Sequence, residues 1–462
     1  MRLFNALSRS KEEFSPLSSP VRMYSCGPTV YHYAHLGNLR SYVFADSLRR
    51  ALMFFGFAVT HVINITDVGH LTDDADAGED KMEKGARREN KSVWDIARYY
   101  EQAFLQDVNS LNILSPHSWT RATEYITEQI EMIKRIEENG FTYQTSDGIY
   151  FDTTKLSEYG ELIEGFNPEQ LQAGKRVSVG EKRAKTDFAL WKFSSPEQKR
   201  QMEWDSPWGV GFPGWHIECT AMGCAQFGEV FDIHTGGVDH IPVHHTNEIA
   251  QARACSGKNH ARFWMHNEFL VDKGGKMSKS KGDFLRLQSI IDEGFHPLDY
   301  RYFCLLTHYR KPLSFSFEAL SAARSARERL THKVISLKES SLPGSDMPAE
   351  RLVFQQRFSQ AIADDLNFPE AIGVVFEVLS STLSDAHKLS LLIEWDGVLG
   401  LRLAQAERET APEHVVSLAK KRDSLRAQKD FSQADALRDE ILSHGWVVSD
   451  SPDGFVLQRK DD

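Results

Sequence analysis

The chain contains no apolar run approaching the ~20 residues that a membrane-spanning helix requires. Its opening residues, MRLFNALSRSKEEF, lack the apolar centre of a secretory signal, and Glu12 and Glu13 do not suit a transit peptide. We therefore expect a cytoplasmic protein with no membrane partner; no obligatory protein partner is evident either. Cysteine is scarce: five in 462 residues, an odd number at irregular spacing, which is no disulfide framework and leaves the thiols as ligands or core residues. Excess positive charge is also missing. A formal charge of −11 argues against coating nucleic acid through bulk charge, though local basic patches remain open.

What is present is an ordinary globular composition, 41% apolar and 26% charged, long enough for about three domains. Val21 to Ser25 predicts a buried strand, Gly37 to Phe55 a helix and Val59 to Ile65 a second strand. That β-α-β order opens an α/β fold built on a doubly wound, Rossmann-type parallel sheet, whose ligand crevice lies at the carboxyl ends of the strands. Thr66 and Asp67 end the second strand and should face it. Residues 69 to 90 are dense in charge and read as a surface loop running into a helix. Helical periodicity follows at Val93 to Leu111 and Glu124 to Glu137, then a hairpin at Phe141 to Phe151 turning at Ser146-Asp147-Gly148. The sheet returns near Pro213 as helix, strand, turn and helix.

We place the first half of the sheet domain at residues 1–112, an inserted connective domain at 113–199, the second half at 200–265 and a lysine-loop region at 266–315. A helical bundle at 316–405 and a small C-terminal α/β domain at 406–462 complete the chain. Arg324, Arg327, Arg329 and Lys333 recur at near-helical spacing in the bundle, whose loop lies at Pro343 to Pro348. Lys420, Lys421, Arg422, Arg426 and Lys429 form a second basic run, ahead of a short β end that turns at Pro452-Asp453-Gly454.

Three stretches carry chemistry. YSCGPTVYHYAHLGNLR, from Tyr24 to Arg40, puts a thiol in a Gly-Pro turn after a strand and His-Leu-Gly-Asn where a helix begins. A helix start offers unpaired N–H groups to phosphate. Gly37 keeps side chain away from a flat purine, and His35 and Asn38 supply donors. DKGGKMSKSKG, from Asp272 to Gly282, is a glycine-preceded loop with two ammonium groups, able to close over a developing pyrophosphate. Finally Cys26, Cys219, a histidine of the 244/245 pair and Glu248 together offer the sulfur, nitrogen and oxygen donors that zinc accepts. Cys224, Cys255 and Cys304 read as structural.

HLGN after a strand, KMSKS some 240 residues later and an interrupted sheet resemble the class I aminoacyl-tRNA synthetases. CGPTVYHYAHLGN, FALWK, WDSPWG, GWHIECTAM, DIHTGG and HHTNEIAQ, in that order, resemble the cysteinyl-tRNA synthetase family, and the similarity continues through DDLNFPEA and KDFSQADALRDEI. The resemblance implies a zinc, one per chain, on Cys26, Cys219, His244 and Glu248. It implies ATP, with magnesium, on His35, Gly37 and Asn38, with Lys276 and Lys279 acting on its phosphates; His35, Asn38, Lys276 and Lys279 would be the catalytic residues. It puts Trp215, His234, Thr66 and Asp239 at the pocket for L-cysteine, makes the bundle the anticodon-binding domain and tRNA-Cys the partner. The charged segment at residues 69–90 departs from the family's commonest loop. A ligase passing cysteine from the same adenylate to an amino-sugar would not need the basic helices of 316 to 440.

Overall fold

The computed structural model describes residues 1–69, 71–73, 77–165, 181–195, 200–272, 275–276, 285–340, 348–408, 410–451 and 454–459. Its centre is a five-stranded sheet. Strand β1 is Val21–Ser25, β2 Val59–Ile65, β3 Ser118–Arg121, β4 Phe231–Gly237 and β5 Ala261–Asn267, paired in the spatial order β5-β4-β1-β2-β3. Every pairing is parallel. Strands buried on both faces carry apolar side chains without strict alternation, and β4 is buried at all seven positions.

Helix α1, Leu36–Phe54, crosses from β1 to β2. Two further helices, α2 (Trp215–Phe227) and α3 (Thr246–Ser256), flank β4. Strand order reverses between β1 and β4, which makes the carboxyl ends of those two strands the topological switch point.

Between β3 and β4 the chain forms an antiparallel sheet of Thr142–Thr145, Gly148–Phe151, Phe188–Phe193 and Gly211–Pro213. Phe151, Phe188, Leu190 and Trp191 share one apolar cluster with Ile217, Ala221, Ala250 and Ala254 of α2 and α3. Sheet membership changes a little away from the expected boundaries at 113 and 200. β3 joins the parallel sheet, and Gly211–Pro213 closes the antiparallel one. The apolar pattern marks a strand but not the sheet it joins. Residues 69–90 hold a short ribbon, Leu71–Asp73 with Ala77–Asp80, and then a helix, Lys81–Glu89, capped by Asp80.

The helices Phe317–Ser340, Ala349–Ala363, Phe368–Ser380 and Asp385–Leu399 form the bundle. Its apolar core is continuous with that of the sheet. Two helices, Glu413–Ala427 and Phe431–Ser443, and a hairpin, Trp446–Ser451 with Gly454–Arg459, enclose a separate small core around Val415, Ile441 and Trp446. Both expected basic runs are partly structural. Arg327 pairs with Asp299 at 2.6 Å, while Arg324 and Arg329 lie over the rings of Phe295 and Phe376. Arg422 is buried, and both it and Arg426 reach Asp450 at 2.8 Å. The loop at Pro343 to Pro348 lies largely outside the described residues, as does the Pro452-Asp453 turn. None of the described helices is long and apolar enough to cross a membrane.

One buried charge cluster joins α1 to the bundle. Asp46 Oδ2 accepts from Arg50 Nε at 2.7 Å and sits 2.6 Å from Arg301 Nη2. Arg50 donates onward to Gly397 O and Arg301 to Leu399 O. Burial would raise the Asp46 carboxyl, but Arg301 and Arg50 hold it below its ordinary value. Removing one member strands opposite charge in the interior, so Asp46→Ala should cost about 3–5 kcal/mol. A urea titration would show this as a lower midpoint at unchanged slope; an unmoved midpoint would refute it.

Candidate active site and metal cluster

The two strand ends at the switch point are tied edge to edge. Cys26 N donates to Thr235 O at 3.0 Å, and the hydroxyls of Ser25 and Thr235 lie 2.6 Å apart. Cys26 is thereby fixed beside the end of β4, although it is nearly two hundred residues from the second thiol. Cys219 lies one turn into α2, on the same face as Trp215. A wide turn at Ile241–His245 leads into α3 and presents His244 and Glu248 one turn apart.

His244 Nε2 lies 3.1 Å from Glu248 Oε1, and Cys26 Sγ 3.9 Å from the same oxygen. One donor atom each from Cys26, Cys219, His244 and Glu248 fall within 4.8 Å of one another. A tetrahedral zinc with bonds of ~2.0–2.3 Å needs separations of roughly 3.3–3.8 Å, so a small contraction suffices. Cys26, His234, His245 and Glu248 form a second such group. Only the first set faces open space: Cys26, Cys219 and His244 line a cavity of about 350 Å³, whereas His234 and His245 do not.

The charges suit a cation. The Cys219 thiol is lowered to about 7 because Cys26 donates to it and His244 lies near, against burial. Burial and the neighbouring Cys219 push Cys26 well up. For His244, burial is outweighed by Cys219 and Glu248, which lift it to about 10. Burial is likewise outweighed at Glu248, where His234 and His244 hold the carboxyl well below its usual range. At neutral pH one carboxylate, one imidazolium and a thiol about half ionised share the space, leaving some net negative charge for a divalent ion to neutralise.

The same cavity carries the expected nucleotide cradle, His35, Gly37 and Asn38. His35 caps α1: its Nδ1 accepts from Asn38 N at 3.0 Å, and Asn38 Oδ1 accepts from His35 N at 3.3 Å. With Nδ1 accepting, the neutral ring carries its proton on Nε2. Gly37 has a second reason to lack a side chain, since a Cβ there would stand 3.0 Å from the His35 ring.

Of the four residues expected at the amino-acid pocket, Trp215, Thr66 and Asp239 line the cavity. The Trp215 ring lies 4.6 Å from that of His244. His234 is placed differently: it is fully buried, with Nε2 3.0 Å from Glu248 Oε2, behind the metal cluster. Its strand position predicts proximity to the crevice but not which side of Glu248 it takes. Asp67 also turns away, accepting from the N–H and hydroxyl of Thr123. Lys276 pairs by its backbone with Val271, but its side chain and all of Lys279 lie outside the described residues. Cys224, Cys255 and Cys304 stand outside both metal groups. Sequence reasoning did not single out Asn64 and Asn267, which line the cavity. Their positions near the ends of β2 and β5 were the available signal.

A doubly wound sheet with a nucleotide cradle at its switch point, interrupted by an antiparallel insertion, is the architecture of a class I tRNA synthetase. Among solved structures the chain resembles a Mycobacterium tuberculosis methionyl-tRNA synthetase bound by methionyl-adenylate, with TM-score 0.58 and 15% identity over 84% of this chain and 93% of that one, a likeness of fold. The chain belongs to the family described as tRNA synthetases class I (C) catalytic domain, which matches residues 13–325. A DALR domain follows at 357–404. Its relatives include cysteine--tRNA ligase 1 of Burkholderia lata, 50% identical over 99% of this chain and 96% of the relative. The cysteine--tRNA ligase of Novosphingobium aromaticivorans is 48% identical over 97% of this chain and 95% of the relative.

Zinc needs all four donors bare, and Cys26 and His244 hold protons at neutral pH. Uptake should therefore release about two protons, and a further one below about pH 7, where Cys219 is protonated as well. Chelator competition at several pH values should show affinity rising with pH, more steeply on the acid side. A flat profile would contradict the assignment.

Proposed function

We propose that this chain activates L-cysteine with ATP, forming cysteinyl-adenylate and pyrophosphate, and transfers cysteine to the 3′-terminal ribose of tRNA-Cys. The observation that carries the reading is a single cavity lined by Cys26, Cys219 and His244 together with His35, Gly37 and Asn38. Family membership and the two ligase relatives support it. Its substrates meet in the cytoplasm, where we place it.

Cysteine and serine differ by one atom, and a shape-selective apolar pocket gains only ~1–3 kcal/mol from so small a difference. Held by Cys26, Cys219, His244 and Glu248, one zinc per chain supplies a soft cation that favours a thiolate far above an alcohol. That preference makes an editing domain unnecessary, while Trp215, Thr66 and Asp239 shape the space around the amino acid. The cysteine carboxylate is already ionised, and its in-line attack on the α-phosphate needs no general base. His35, through Nε2–H, and Asn38 hold phosphate oxygens at the start of α1, while Gly37 leaves room for the purine. Lys276 and Lys279 neutralise the departing pyrophosphate, with magnesium accompanying ATP. The bundle and small C-terminal domain grip the tRNA and read its anticodon.

Cysteine-dependent ATP–pyrophosphate exchange tests activation, and cysteinylation of tRNA transcript against an amino-sugar tests transfer. Stripping zinc should cost about 100-fold or more in exchange and collapse the preference for cysteine over serine; an unchanged ratio would remove the metal from the account. In the C-terminal domain Lys420 and Lys421 are exposed, unlike Arg422. The double change Lys420→Glu and Lys421→Glu should weaken tRNA binding and reduce its salt slope by about one unit per lost phosphate contact, without altering cysteine activation. Unchanged binding would clear this face of any role.

A further inference from the structure

The two oxygens of Glu248 have different surroundings. Oε1 faces the metal cluster, with His244 Nε2 at 3.1 Å and Cys26 Sγ and His245 Nε2 each at 3.9 Å. Oε2 faces away, toward His234 Nε2 at 3.0 Å and His260 Nε2 at 3.4 Å. All three side chains are fully buried.

His260 has no evident reason to be histidine as a packing residue. It precedes β5, and its ring sits edge-on to Phe231 and Trp264, with centroids at 5.3 and 5.0 Å. Neither ring nitrogen makes a hydrogen bond among the described residues. Phenylalanine would fill such a site without burying two polar atoms. Among the described residues, the one charged atom within ion-pair reach of His260 is Glu248 Oε2. His234 is constrained independently, stacked on Trp264 at 4.6 Å and 19° and fixed in the register of β4.

We propose that His234 and His260 are positioning residues that clamp Oε2 of Glu248, so that Oε1 alone is presented to the metal, and that they thereby set the affinity and geometry of the zinc site. This rests on Cys26, Cys219, His244 and Glu248 being the ligands. The clamp holds the carboxylate to one oxygen donor, which leaves coordination space for the substrate sulfur. Groups that orient metal ligands in this way commonly change affinity by ~10- to 100-fold when removed.

The test uses the full chain carrying His260→Phe, with His260→Gln retaining an N–H donor and His234→Asn probing the other arm. Zinc affinity is read by chelator competition, and geometry from the visible absorption of the cobalt(II)-substituted protein. His260→Phe should weaken zinc binding by ~10- to 100-fold and alter the cobalt spectrum. The zinc-free variant should unfold at the same or a higher denaturant concentration. His260→Gln should recover part of the affinity. A residue with only a packing role would instead lower the stability of the zinc-free chain and leave metal affinity within twofold, and that outcome overturns the clamp. Failure of the parent protein to take up zinc would overturn the ligand assignment and this proposal with it.

Discussion

A carboxylate with no exposed surface cannot persist inside a protein unless its neighbours neutralise it, and Glu248 is such a group. Around it the chain gathers His234, His244, His245 and His260, all buried, with the two thiols beyond. Even so the cluster retains some negative charge, because Cys219 is partly ionised at neutral pH. A divalent cation resolves that imbalance. The arrangement is thus poor as a hydrophobic core and good as a metal site, and the fold around it has to be rigid enough to tolerate the difference.

Rigidity comes from topology. β1 and β4 are adjacent in the sheet but far apart in sequence, and their parallel pairing brings Cys26 beside the end of β4. α2 and α3, which carry Cys219 and Glu248, are braced from outside by the inserted antiparallel sheet, with Phe188 against the His216 ring at 5.6 Å. Close backbone approach is part of the same design. A Cβ at Gly236 would stand 2.5 Å from His240 Nδ1 and 2.8 Å from His245 Cε1, so the histidine layer packs against a position where only glycine fits. The insertion therefore holds two of the four proposed ligands in place as well as extending the molecule.

Much of this was legible in the residues because apolar patterning and turn chemistry are local. β1 and β2 fall where their apolar runs lie, and the hairpin turns where Ser146-Asp147-Gly148 directs it. What failed was what depends on partners distant in sequence. Arg327 and Arg422 look like RNA-facing cations until Asp299 and Asp450 are seen beside them. His244 and His245 are four and three residues from Glu248, both within helical reach. Pattern alone left them equal, and the structure separates them by which one lines the cavity. His234 was expected in the amino-acid pocket because the family resemblance puts it there, and the structure sets its ring behind Glu248. A side chain in the interior of a parallel sheet can equally serve the layer behind.

Helix α1 links these parts mechanically. Its first turn is the proposed nucleotide cradle, closed by the reciprocal cap of His35 and Asn38. Farther along, Asp46 and Arg50 are locked to Arg301 and to the backbone of the bundle at Gly397, with Arg301 completing the tie at Leu399. Between them the helix is buried at most positions, so it cannot bend or slide without breaking core contacts. A Cβ at Gly400 would also fall 2.6 Å from Arg301 Nη2, so even the C-cap of the bundle's last helix is shaped to this tie. The spacing between cradle and bundle is thereby set by one continuous helix. An RNA held by the bundle, as proposed, would meet a cradle whose position is already determined, and accuracy in presenting its far end would be a property of the folded chain.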